Sequence, residues 1–259
     1  MGARRSALSR VVLLGASNLT VGLPTVLATT RARLGPGPHA IFVAAGHGRS
    51  YGRWSRVAFR GVPGILDCGL WSAALPRTGA RTYALVTDIG NDLAYGASPA
   101  ELAGWVAACL DHLTAGGAEV VLTLLPAHSI ARLAPWQYHL FKALLFPGRR
   151  LSFPTIQARV AEVNARLATL AAGRRITVVE PEADWYGADA IHLRRSRHPA
   201  VWGHVLSRWT PASLTPATEP RRPVACRGLQ PEWRTVLGVG LRRPQPSGVL
   251  DDGTTVSLY

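Results

Sequence analysis

Short runs of consecutive apolar residues alternate along this chain with longer segments of helical period. Residues 11–14 (Val-Val-Leu-Leu) form an unbroken aliphatic run ending at Gly15, the pattern of a strand buried on both faces. Residues 19–34 read as a helix, with Pro24 tolerable only near its start. A second strand is expected at 41–45, running into Gly46-His47-Gly48-Arg49-Ser50-Tyr51-Gly52, and a third at 83–87. Ser98-Pro99-Ala100-Glu101 is a helix start: serine caps, proline suits the first helical position, and glutamate reaches back to close a capping box. Gly116-Gly117 should stop that helix. A fourth strand is expected at 120–125, before Pro126. Residues 156–172 carry Ile156, Val160, Val163, Leu167 and Leu170 on one helical face, with Gly173 ending the run. A fifth strand at 176–179 and a helix at 199–209, striped by Val201, Val205 and Trp209, complete the series.

Strands alternating with helices predict an α/β domain, a three-layer, doubly wound, five-stranded parallel sheet over residues 1–209. From 210 to 259 the texture changes. Pro211, Pro216, Pro220 and Pro223 punctuate a polar stretch that reads as a linker and C-terminal tail, with short candidate strands at 235–239 and 254–258. The sequence assigns this tail no role.

Composition narrows the class. The 259 residues are 47% hydrophobic and 17% charged, which fits a folded globule. The formal charge of +14 suggests a polyanion partner. However, Lys142 is the only lysine, and the arginines are scattered as singles and pairs with no basic stripe interleaved with aromatics. No dedicated nucleic-acid binding is expected. Cys68, Cys109 and Cys226 have neither disulfide-framework nor zinc-site spacing. Arg4-Arg5 and Met1-Gly2 with Ser6 match export and myristoylation patterns, but the apolar run at 11–14 is too short for a signal. No run approaches the length of a membrane span. The expectation is a cytoplasmic protein.

Candidate chemistry lies at the ends of three strands, the rim where open parallel sheets bind ligands. Ser17 follows the first strand at a helix N-terminus, where a developing anion is favoured. Asp88-Ile89-Gly90-Asn91-Asp92 follows the third, and the Asn91 amide can donate to an oxyanion. Asp189-Ala190-Ile191-His192 follows the fifth. A carboxylate three residues before a histidine can fix its tautomer and leave the other ring nitrogen to take a proton from serine. Each piece alone also reads as a helix cap, a turn or a surface pair. Their conjunction on one rim supplies the parts of an acyl-transfer site. An α/β-hydrolase elbow would need glycine two residues after the serine, where this chain has Leu19.

Gly15-Ala16-Ser17-Asn18-Leu19, Gly90-Asn91-Asp92 and Asp189-Ala190-Ile191-His192 resemble blocks I, III and V of the SGNH, or GDSL-like, hydrolases, over roughly residues 11–209. The resemblance implies a flavodoxin-like sheet and an esterase acting on a small-molecule ester, thioester or acylated substrate, with no metal and no cofactor. It implies Ser17 as nucleophile, Asp189 and His192 as its partners, and Ser17, Gly48 and Asn91 as oxyanion donors. Ala16 departs from the pattern, which has aspartate before the serine. In block II, Gly48 is the choice from Gly46–Gly52, and a slip of register would put Arg49 or Gly52 there instead. The competing readings are an acyltransferase using the same triad and a catalytically silent α/β domain that binds an anion or a partner. The aromatic segment 128–153 reads as a short packed helix and loop, or as a lid over an acyl pocket. His47, His198 and His204 are further histidines within possible reach of the site, His204 as a structural one.

Overall fold

The structure, a computed structural model, describes residues 9–35, 37–74, 80–145, 152–174, 176–211, 226 and 228–259. The element order is β1 (Ser9–Leu14), α1 (Ser17–Leu34), β2 (His39–Ala44), β3 (Ser55–Val57), β4 (Arg60–Val62), α2 (Leu70–Ala74) and β5 (Thr82–Val86). Then come α3 (Asn91–Ala94), α4 (Pro99–Ala115), β6 (Glu119–Thr123), α5 (Ala127–Ala131), α6 (Pro135–Leu145), α7 (Phe153–Ala172) and β7 (Ile176–Val179). Last are α8 (His198–Leu206), β8 (Trp233–Val236), β9 (Val239–Arg242), β10 (Gly248–Val249) and β11 (Thr255–Leu258).

Five strands lie parallel in the order β2-β1-β5-β6-β7, a doubly wound arrangement that reverses direction beside the central β1. β1 is central because its aliphatic run suits burial on both faces. Val12 and Leu14 enter the core layer shared with α4 and α7, whereas Val11 and Leu13 enter the layer shared with α1 and α8. Each such side chain contributes about 1.5–3 kcal/mol by leaving water. The capping box of α4 forms: the Ser98 hydroxyl accepts from the Glu101 amide, and Glu101 accepts from the Ser98 amide at 2.9 Å.

Two features correct the sequence reading. Among the described residues the main sheet has seven strands, not five, because β11 pairs parallel with β2 and β10 pairs antiparallel with β11. The tail is therefore not separate from the sheet: Arg31 near the end of α1 forms ion pairs with Asp251 and Asp252, holding the β10–β11 connection to the domain. Secondly, β8 and β9 join β3 and β4 in a small antiparallel sheet. Of the tail prolines, Pro216, Pro220 and Pro223 lie outside the described residues, as do Arg4 and Arg5 and the Met1, Gly2 and Ser6 pattern.

Pro24 sits further inside α1 than its lost hydrogen bond would suggest. Packing against α8 offsets this: a Cβ on Gly22 would come within 2.3 Å of the Trp202 indole nitrogen, so only glycine lets the two helices approach so closely.

Candidate active site

The crevice lies beyond the carboxyl ends of β1 and β5, at the point where strand order reverses. Ser17 opens α1 directly after β1. Gly15 before it has no room for a side chain: a Cβ would lie 2.9 Å from the Thr87 methyl and 3.0 Å from Leu19.

The carboxylate that organises this turn comes from the loop after β5, not from the position preceding Ser17. Asp88 accepts from the amides of Ala16 at 3.1 Å and Leu19 at 2.9 Å, and from the Asn18 side chain at 2.8 Å. An anion at a helix N-terminus satisfies first-turn amides and the helix dipole together. Asp88 thus supplies, from the end of the neighbouring strand, an acid where Ala16 leaves none. Its backbone is left-handed, with φ of 57°, a conformation aspartate tolerates better than most residues.

Asn18 is the second residue that sequence reasoning missed. Besides Asp88, its amide donates to the Ile191 carbonyl at 2.9 Å, and its oxygen accepts from the Leu193 amide at 2.8 Å. The two residues flanking His192 are thereby bonded to the neighbour of Ser17. No local pattern in the sequence marks Asn18, because its partners Asp88 and Ile191 lie 70 and 173 residues away.

The 189–192 turn folds on its own carboxylate. Asp189 Oδ1 accepts from the amides of Ile191 and His192, and Oδ2 is 2.6 Å from His192 Nδ1. Ala190, at φ 64°, makes the reversal, and Gly187 donates to the His192 carbonyl at 2.8 Å. The bond to Asp189 raises the His192 pKa above the ordinary imidazole value, against partial burial, which lowers it. Burial alone would raise Asp189, but the side-chain and backbone bonds from His192 outweigh it and hold the carboxyl below its usual range.

Asn91 opens α3 and lines the crevice; its amide donates to the Arg49 carbonyl at 3.3 Å. Gly48 has φ of 63°, and a Cβ there would lie 2.5 Å from the Tyr95 hydroxyl oxygen, so both backbone and space require glycine. Tyr95 donates to the Gly48 carbonyl at 2.7 Å. Asp92 clamps the same loop, accepting from the Ser50 hydroxyl and from the Tyr51 amide. Burial pushes the Asp92 carboxyl up, and these two donors oppose the shift. In the sequence Asp92 stands out only as part of a turn.

From the crevice an apolar cavity extends between α5, α6 and α7, lined by Leu125, Ile130, Leu133, Phe141, Ile156 and Val160. Tyr138 of α6 also lines it, while Trp136 and Leu140 on that helix are exposed. The helix expected within 128–153 therefore forms and borders the cavity; Phe146 lies outside the described residues. His47 is exposed, His204 packs edge-on against Trp185, and His198 is buried, its pKa lowered chiefly by that burial. Among the described residues, no group of three or more His, Cys, Asp or Glu side chains is placed to hold a metal ion, and no helix is long and apolar enough to cross a membrane.

Neither a protein-family model nor a curated sequence matches the chain. Solved structures do. The chain is similar to Est24, a carbohydrate acetylesterase from Sinorhizobium meliloti, at 17% identity and a TM-score of 0.53, over 77% of this chain and 98% of that one. It is also similar to the aryl esterase of M. smegmatis, at 14% identity and a TM-score of 0.52, over 78% of this chain and all (100%) of the other. The likeness is one of fold: the chain shares the α/β architecture of these two structures.

Proposed function

We propose that the chain is a serine hydrolase of carboxylic esters, thioesters included, with Ser17 as nucleophile, His192 as general base and Asp189 as the carboxylate that orients it. The observation that carries this reading is the Asn18 bridge. One side chain adjacent to Ser17 holds the backbone on both sides of His192, while Asp189 occupies Nδ1. Nε2 is then the ring nitrogen available to the serine hydroxyl.

His192 takes the Ser17 proton as Oγ bonds to the ester carbonyl carbon. Collapse of the tetrahedral species breaks the bond to the alcohol, which leaves with that proton. Water then repeats the sequence on the acyl-serine and frees the acid. The Ser17 amide, a first-turn donor with no acceptor inside the helix, faces the developing oxyanion, together with Gly48 and Asn91. Backbone bonding favours Gly48 over its two neighbours in register. The Arg49 amide is taken by the Gly46 carbonyl and the Gly52 amide by the Ser50 hydroxyl, whereas among the described residues nothing accepts from Gly48. The apolar cavity suits the acyl chain.

The test is hydrolysis of 4-nitrophenyl esters by the wild type, Ser17→Ala and His192→Ala. Each variant is expected to lose on the order of 10⁴-fold or more in kcat. Turnover that survives both substitutions would refute the assignment, and an inert wild type would leave a binding domain.

A further inference from the structure

The small antiparallel sheet is unexplained by ester hydrolysis. Its cross-strand pairs Val57–Arg60, Arg60–Val236 and Val236–Val239 put these four residues on one face, and the Arg234–Leu241 pair lies on that face too. The face begins at the site, because the Val57 methyl lies 2.7 Å from where a Gly48 Cβ would stand. Its two hairpin tips adjoin, with the Leu237 amide donating to the Phe59 carbonyl at 2.8 Å. At those tips Phe59 is 53% exposed, Val239 62% and Leu237 80%, which is unusual for side chains of this size.

Arginines lie on both faces of this sheet: Arg60 and Arg234 share the face of the ridge, whereas Arg56, paired with Gly61, and Arg242, paired with Trp233, lie on the other. Arg56, Arg60, Arg234, Arg242 and Arg243 form no ion pair among the described residues, and no Asp or Glu occurs between 53 and 63 or between 233 and 249. Arg60 lies over the Phe59 ring and Arg242 over Trp233. An apolar edge rich in cations suits a surface that offers acyl chains beneath negative headgroups.

We propose that this sheet docks the protein on an anionic phospholipid bilayer, with Phe59, Leu237 and Val239 entering the interface and the arginines meeting the headgroups. A second copy of the chain fits worse, since it would bring the same cations face to face. Single-stranded nucleic acid fits worse as well. Base stacking needs exposed aromatic planes, but two of the three tip side chains, Leu237 and Val239, are aliphatic. Docking here would hold the crevice beside the membrane surface, where acyl esters concentrate.

The experiment is co-sedimentation of the full chain with vesicles of phosphatidylcholine, alone or mixed with phosphatidylglycerol, at low and high salt. Binding is expected only with phosphatidylglycerol, and to weaken with salt. Arg60→Gln combined with Arg234→Gln should lower partitioning about thirtyfold, and Leu237→Asn about tenfold or more. Unchanged thermal melts and unchanged hydrolysis of soluble 4-nitrophenyl acetate would show that these variants are folded. Equal binding to both vesicle types, no binding, insensitivity to the substitutions, or tighter binding to a single-stranded oligonucleotide would each overturn the proposal. So would a concentration-dependent dimer lost on Leu237→Asn. Vesicle binding is read without ester turnover, so its failure leaves the hydrolase assignment standing.

Discussion

Replacing Asp88 by alanine removes the acceptor for two backbone amides and one side-chain amide at the start of α1. Hydrogen bonds to a charged group are worth about 1.5–3 kcal/mol each, and the helix dipole adds a few tenths to about 1. Asp88 is only partly buried, and water can reach some of the freed donors. The sum therefore falls to about 2–4 kcal/mol. For a chain of this size each kcal/mol shifts Tm by about 2–4 °C, so a loss of roughly 4–16 °C is expected. That leaves a folded protein in which Ser17 and the Asn18 bridge are no longer held. A displacement of about 1 Å at a nucleophile costs on the order of 100-fold in turnover. The assay pairs a thermal melt with steady-state kinetics on 4-nitrophenyl acetate, expecting kcat to fall and KM to change little. One further readout is specific to charge. The His192 pKa is raised chiefly by Asp189 and, to a smaller extent, by Asp88, so the acidic limb of the pH profile should move to lower pH in the variant. A wild-type melt and wild-type kcat in Asp88→Ala would refute the claim that this carboxylate stands in for the acid missing at Ala16.

With His192 as the proposed base the neutral imidazole is the reactive form, and Asp189 raises its pKa, so kcat/KM of the wild type should climb with pH through a midpoint above about 6.5. A profile flat from about pH 5 to 8 would count against His192 as base. Asp189→Asn should lower that midpoint and cut kcat by on the order of 10⁴, measured on the same ester. Tyr95→Phe removes the bond to the Gly48 carbonyl and should lower kcat about threefold to tenfold, with a near wild-type melt. Each added methylene buried in the cavity should raise kcat/KM about fourfold from acetyl towards hexanoyl esters, and Val160→Trp should abolish that gain while sparing acetyl hydrolysis.

The central strands were legible because burial on both faces leaves an unmistakable mark: 11–14 and 120–125 are nearly pure aliphatic, whatever their neighbours. The capping box at Ser98–Glu101 was legible because its partners are three residues apart. The small sheet was not. Ser55-Arg56-Val57 carries no alternation that marks a strand, and its sheet is completed by residues near 235, so only the folded chain defines it. β11 was anticipated as a strand, but its parallel place beside β2 depends on contacts more than 200 residues apart in the chain, such as that between Arg31 and Asp252. The site divides the same way. Asp189 and His192 lie within one turn and could be paired by spacing alone, whereas the bonds of Asn18 to Asp88 and to Ile191 span 70 and 173 residues.

Covalent capture is the most direct check on the central claim. After incubation with a fluorophosphonate, intact-mass and peptide mass spectrometry should find one adduct, on Ser17, absent from Ser17→Ala and slowed by orders of magnitude in His192→Ala. An unlabelled wild type, or an adduct on any other residue, would contradict it.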